Sequence, residues 1–342
     1  MEEYNPQFDG ENPQKQYVTY IPFGMSPEEY ENKKKIKRSA LCAGICFTFI
    51  TLFSVIWALC YYFVMGKLGY TSQKAYEIIS EPAVLQVVQV VLSSFMFTVP
   101  FIFVYKAGGE RISDIVALKK PEKGMFLPYF LIGAAVCVFA NLSVSSAGQI
   151  FERFGINYSV DDGGDPKGIF GFLLMLISTA IVPPLVEEFA CRGVLLGSLK
   201  KYGEGFAIIV SALLFGTVHG NFDQIPFAFI VGLILGFITV KTGTIAVSIA
   251  VHSFNNLISV VYSYLNLSND SRGMLLMLLY SAVLICGTAG VFLLCRRDEN
   301  AFSLKSDSSG VAEKLKYKWF FTSPAIIIFI VICLINAVRY FN

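Results

Sequence analysis

Residues 168–199 read GIFGFLLMLISTAIVPPLVEEFACRGVLLGSL. The first nineteen, Gly168 to Val186, carry no charge, and a predominantly apolar run of about 18 or more residues has the length of a membrane span. Pro183-Pro184 interrupts the run, because proline lacks the amide a helix interior needs and so starts or kinks a helix. Glu187, Glu188 and Arg192 follow at once. An ionisable group at the centre of a membrane helix costs on the order of 2.5–3.5 kcal/mol on insertion scales, so such groups mark function or a structural pair.

Further apolar segments lie at about 39–65, 83–105, 125–150, 206–221, 225–240, 244–264, 273–295 and 319–340. With 168–199 this makes nine expected spans, eight being the alternative, and an all-α, polytopic helical membrane protein. Composition agrees: of 342 residues 55% are hydrophobic and 15% charged, with mean hydropathy +0.60, against roughly 25% charged in soluble domains. One soluble core of this size could not hide that much apolar surface. A secreted disulfide scaffold, a disordered chain and a nucleic-acid binder are excluded as classes. None of the eight cysteines forms a CxxC pair, so neither a zinc knuckle nor a redox pair is suggested.

The net charge of +2 matters less than its distribution. Residues 1–38 read as a flexible cytoplasmic tail ending in Lys33, Lys34, Lys35, Lys37 and Arg38. Lys106, Arg111, Lys119, Lys120, Lys123, Lys200-Lys201, Lys241 and Arg296-Arg297 recur on alternate connections, while Asp161, Asp162, Asp165, Asp223 and Asp270 fall on the others. The positive-inside rule then predicts a multi-pass protein of the cell membrane with a cytoplasmic N-terminus. The expected organisation is the tail at 1–38, N-terminal transmembrane helices at 39–150, a core at 168–262, and C-terminal transmembrane helices at 273–342 with a flexible charged loop at 296–318.

Polar groups inside the apolar segments gather at three places. At 187–192, Arg192 stands four residues after Glu188 on one helical face and can pair with it, leaving Glu187 about 100° away and free to act as a base. Apolar surroundings disfavour the charged form of a carboxylate, which suits proton transfer near neutral pH. The second place is Phe215 to His219. At the third, His252 and Asn256 share a face and Asn255 is turned away. The chain has only two histidines, and both lie here. Glu187 precedes Lys200 by 13 residues and His219 follows Gly205 by 14, each some 20 Å from the turn at about 1.5 Å per residue. His252 and Asn256, 9 and 13 residues after Gly243, reach a depth of about 13–20 Å by the same rise. Antiparallel helices would bring all three to overlapping depth.

Glu-Glu-x-x-x-Arg at 187–192, Phe-x-x-x-His at 215–219 and His-x-x-x-Asn at 252–256, in this order, resemble the CAAX-protease and bacteriocin-processing (CPBP) family of intramembrane endopeptidases, which includes type II CAAX prenyl endopeptidases and lysostaphin-resistance-type proteins. The resemblance covers about 168–262. Cys191 stands where the family usually has an aromatic residue, a departure that bears on local packing. The resemblance implies hydrolysis of a peptide bond in or beside the membrane. Glu187 and His219 would activate water, His252 and Asn256 would stabilise the oxyanion, and Glu188 and Arg192 would support the site. The implied partners are a peptide or membrane-anchored protein substrate and the lipid bilayer, with no nucleic acid.

Metal chemistry competes. Glu187, His219 and His252 make a plausible zinc set with one position open for water, although the spacing is not HExxH. Two readings outside hydrolysis also stand: a non-catalytic immunity or partner-binding protein of the same fold, and a proton-coupled transporter. The transporter should show paired half-helices, and only Pro183-Pro184 supplies such an interruption.

Overall fold

The computed structural model describes residues 21–22, 24–153, 168–222, 224–265, 269–305 and 309–338. The expected carboxylates Asp161, Asp162, Asp165 and Asp223, and the first twenty residues of the tail, lie outside them. All nine apolar segments become helices: α1 (Pro27–Lys67), α3 (Pro82–Ala107), α4 (Phe126–Arg153), α5 (Gly168–Tyr202), α6 (Glu204–Val218), α7 (Gln224–Thr242), α8 (Ile245–Tyr264), α9 (Asn269–Cys295) and the pair α10 (Glu313–Phe321) and α11 (Pro324–Val338). A short helix, α2 (Ser72–Ile79), joins α1 to α3.

Seven of these helices are long and apolar enough to cross a membrane, or eight if α10 and α11, bent by 71°, form one span. The count of nine is corrected at α6. With 15 residues it rises only about 22 Å, short of the roughly 30 Å hydrocarbon layer. Large apolar side chains such as Leu59, Phe63, Phe103, Met277 and Ile285 are exposed on the outside of the bundle, as lipid contact requires.

Two loop expectations are also corrected. Residues 27–38, read as tail, are the first turns of α1, where the Ser26 side chain accepts from the Glu29 amide and Pro27 opens the helix, a strong N-terminal signature. The loop after α9 is held rather than loose. Lys241 donates to the carbonyls of Asn300 and Ser303 at 2.8 and 3.0 Å, the Tyr129 hydroxyl donates to the Ala301 carbonyl at 3.2 Å, and Glu204 accepts from the Lys305 amide at 2.8 Å. Ser306 and Ser308 of that loop lie outside the described residues.

The basic connections meet at one end of the bundle. Lys201 pairs with Glu110 at 2.8 Å, Arg297 donates to the Gly124 carbonyl, and the Ile245 amide donates to the Ala117 carbonyl at 2.9 Å. At this end Gly203, with φ 128°, reverses the chain between α5 and α6, a conformation that glycine tolerates best. At Gly232 of α7 a Cβ would stand 2.9 Å from Ala212 Cα of α6, so α6 and α7 approach as closely as backbones allow. This packing carries Phe215 and His219 toward α5 and α8.

Candidate functional site

The site begins with a broken helix. Within α5, residues 176–181 and 189–196 wind as wide π-turns around the stretch Val182–Glu188, a distortion often found at functional sites. Neither Pro183 nor Pro184, four and five residues on, has an amide to offer the Thr179 carbonyl in this widened turn. Asn256 of α8 supplies the missing donor: its Nδ2 lies 2.9 Å from the Thr179 oxygen. The two prolines thus open the helix, and an amide from a neighbouring helix takes up the Thr179 carbonyl.

The break sends the two adjacent glutamates in different directions, as their spacing predicted. Glu188 is wholly buried and accepts from Arg192 Nη1 at 2.8 Å, itself wholly buried. Arg192 Nε and Nη2 have no hydrogen-bond partner among the described residues, but the guanidinium lies 4.1 Å from the centre of the Phe215 ring, which provides cation–π stabilisation away from water. The same Glu188 oxygen accepts from His252 Nδ1 at 3.1 Å. Glu187 turns instead toward open space, its Oε2 3.9 Å from His252 Nε2.

His219 caps the end of α6. Its Nδ1 lies 2.8 Å from the Phe215 carbonyl, an acceptor only, so Nδ1 carries the hydrogen and donates. In the neutral ring Nε2 is then the free acceptor. Phe215 is edge-on to both imidazoles, with ring centres 5.1 Å from His219 and 5.8 Å from His252.

Glu187, His219, His252 and Asn256 all line one cavity of about 320 Å³. Glu188 and Arg192 stand behind its wall, bearing on it through His252 and Phe215. Asn255 corrects the sequence reading: it lines the same cavity and its Nδ2 donates to Asn256 Oδ1 at 3.2 Å. The reason is that α8 faces α4 and α5 together. One step of 100° carries a side chain from Thr179 to Asn141 of α4, whose Nδ2 donates to Asn255 Oδ1 at 3.1 Å. Asn141 and the cavity-lining Gln89 of α3 are further polar groups, outside the three motifs. Their signal was present, since each is an amide in an otherwise apolar helix. Cys191, the departure from the family pattern, is fully buried, and Ser211 of α6 donates to its carbonyl at 2.8 Å.

Among the described residues no group of three or more His, Cys, Asp or Glu side chains is placed to hold a metal ion. His252 directs Nδ1 to Glu188 and His219 directs Nδ1 to a carbonyl, which leaves Nε2 of each ring as the free nitrogen.

The fold and the cavity define an all-α, multi-pass membrane protein with a polar site enclosed by its helices. Residues 169–258 match the family described as type II CAAX prenyl endopeptidase Rce1-like, which bears out the resemblance read from the three motifs. Two curated relatives match a longer stretch. The chain is 28% identical over 158 residues to the membrane-embedded CAAX protease MroQ of Staphylococcus aureus (strain USA300), covering 44% of this chain and 62% of that protein. It is 32% identical over 146 residues to YdiL of Bacillus subtilis (strain 168), a candidate membrane peptidase by name, covering 42% of this chain and 59% of that protein. The matched stretch thus spans about three fifths of each relative. No solved structure matches.

Proposed function

We propose that this chain is an intramembrane endopeptidase that hydrolyses a peptide bond with water activated by Glu187 and His219. One observation carries the reading: Glu187, His219, His252 and Asn256, from three motifs far apart in sequence, line a single cavity within the segment that matches the Rce1-like family. The names of MroQ and YdiL point the same way.

Water in the cavity loses a proton to Glu187 as its oxygen attacks the scissile carbonyl. His219 Nε2, kept free by the hydrogen on Nδ1, accepts a hydrogen bond from that water and holds it in line. The oxyanion of the tetrahedral intermediate receives donors from His252 Nε2 and from the second amide hydrogen of Asn256, the first being held by Thr179. His252 can donate from Nε2 only when its ring carries both hydrogens, and the carboxylates of Glu187 and Glu188 flank that cationic form. Glu187 then returns its proton to the leaving nitrogen as the C–N bond breaks. Preorganised oxyanion donors contribute about 3–4 kcal/mol in other acyl-transfer sites. Glu188 and Arg192 fix the ring of His252 and the platform of Phe215. The substrate is a peptide or a membrane-anchored protein in the bilayer, and the basic end of the bundle, with the N-terminus, faces the cytoplasm.

The test uses protein purified in nanodiscs, with metal content and cleavage of a membrane-anchored peptide measured together for the wild type, Glu187→Ala, His219→Ala and His252→Ala. Metal-free wild type should cleave, and Glu187→Ala should abolish cleavage. Near-stoichiometric zinc that is lost in the three variants would replace glutamate activation with metal activation. Undiminished cleavage by Glu187→Ala would overturn the assignment.

A further inference from the structure

Behind the catalytic wall, Arg192 borders a second cavity, of about 430 Å³, at the basic end of the bundle. The two cavities share no lining residue. The second is enclosed by the last turns of α5 and α7 and by residues 113–119, between α3 and α4. These walls are held close together. The Ile245 amide donates to the Ala117 carbonyl at 2.9 Å, and a Cβ at Gly197 would collide with the Ile115 carbonyl, so the 113–119 segment meets α5 at backbone contact. The lining carries three cations, Arg192, Lys119 and Lys200, against one carboxylate, Asp114, which accepts from the Ser113 hydroxyl at 3.0 Å. Neither lysine side chain has a partner among the described residues.

We propose that this cavity binds a phosphate group between Arg192, Lys119 and Lys200, and that the bound anion acts on His252 through Glu188. The buried cation carries the argument. Lysines alone would need no ligand here, because basic residues gather at one end of membrane proteins in general. Arg192 is different: it is wholly buried, and a buried charge short of partners is costly. A guanidinium has five N–H donors. Nη1 serves Glu188 at 2.8 Å, whereas Nε and Nη2 have no hydrogen-bond partner among the described residues. A tetrahedral oxyanion suits that planar fork, and a phosphate dianion outweighs the single carboxylate of Asp114. The link to the catalytic residues is one oxygen, since Glu188 Oε1 accepts from both Arg192 Nη1 and His252 Nδ1. An anion beside Arg192 offsets the cation that neutralises Glu188. More of the carboxylate's charge then bears on His252, and its Nε2 becomes the better oxyanion donor. The binding site stands on its own lining, while its effect on cleavage rests on the endopeptidase reading.

Two arms of one experiment separate the sources of the phosphate. In the first, the full chain in maltoside micelles stripped of phospholipid is titrated with inorganic phosphate and, at equal ionic strength, with chloride. In the second, the chain sits in phosphatidylcholine nanodiscs with added phosphatidic acid, or with phosphatidylglycerol at matched charge. A ligand that binds only the folded chain raises its melting temperature in a saturable way. A rise with phosphate that chloride does not give identifies the free ion. A rise confined to phosphatidic acid identifies a lipid headgroup. Lys119→Gln combined with Lys200→Gln should weaken the response about tenfold or more, the scale of a lost bond to a charged group, and Arg192→Met should abolish it. Both lysines are exposed, so their replacement should leave melting in chloride unchanged and keeps the test decisive if Arg192→Met does not fold. No response in either arm, or an equal response in the lysine variant, would overturn the site. Cleavage of the membrane-anchored peptide should rise about fivefold or more along the same titration, the lower scale of coupling between sites. Constant or falling cleavage would overturn the action on His252. Phosphate binding by a chain that cleaves no peptide would count against the endopeptidase reading and leave the site standing.

Discussion

Asn256 donates to the Thr179 carbonyl at 2.9 Å, and this is the oxygen that Pro183 and Pro184 leave without a helical amide. One side chain therefore has two tasks, repairing the break in α5 and presenting a second amide hydrogen to the cavity. The two tasks can be separated. Asn256→Ala should lower stability by about 1–3 kcal/mol, the cost of an unsatisfied buried acceptor, and should lower kcat by about 10²–10³ if the oxyanion assignment holds. Adding Pro183→Ala and Pro184→Ala restores an amide beneath Thr179 in either helical register, so melting temperature should recover while kcat stays low. Recovery of both would show that Asn256 serves the helix alone.

Glu187 has no hydrogen bond among the described residues, its nearest charged partner being His252 at 3.9 Å. Glu187→Gln should therefore leave stability within about 1 kcal/mol of the wild type, as for most substitutions that break no buried network, while peptide cleavage falls below detection. Unfolding in detergent, followed beside single-turnover cleavage, checks both halves. A large loss of stability would make Glu187 a structural residue.

How much of this was legible in the sequence depends on the range of the interaction. The nine apolar runs and the Glu188–Arg192 pair follow from helical period and span length, and the structure places both accordingly. The convergence of Glu187, His219 and His252 was permitted by depth but needed the α6–α7 contact at Gly232 to realise it. What escaped was carried by neutral amides. Asn141 and Gln89 stand in otherwise apolar helices with no motif around them. Asn255 lies about 100° from the His252–Asn256 face, so only the packing of α8 on both α4 and α5 brings it to the cavity. The start of α1 was misplaced because charged Lys33 to Arg38 suggested a tail, when Ser26-Pro27-Glu28-Glu29 already spelled a helix N-terminus. The span count erred at α6 because the apolar run 206–221 was counted although it falls short of about 18 residues; the helix has 15.

The anchored loop after α9 offers a prediction away from the site. Lys241 holds the carbonyls of Asn300 and Ser303 from an exposed position, and each such bond to a charged group contributes at most about 1.5–3 kcal/mol, less where water competes. Lys241→Met should raise hydrogen exchange across 298–305 without changing cleavage. Unaltered exchange there would mean that Tyr129 and Glu204 hold the loop without it.

Glu188 and Arg192 support the site from complete burial, where breaking a pair and removing it have different consequences. Glu188→Leu leaves the Arg192 charge without its carboxylate and takes the acceptor from His252 Nδ1, so it should cost about 3–5 kcal/mol. Arg192→Met leaves Glu188 with His252 alone and strips the cation from the face of Phe215, and it should cost a similar amount. The double variant removes both charges and fills the space with apolar atoms. It should regain most of the stability, as buried pairs replaced by packed apolar groups commonly do. Activity should not return with it, because His252 would still lack the carboxylate that orients Nδ1 and aims Nε2 at the cavity. Thermal unfolding and kcat measured on the three proteins decide the matter. If the double variant regains turnover along with stability, Glu188 does not orient His252 and the pair serves packing alone.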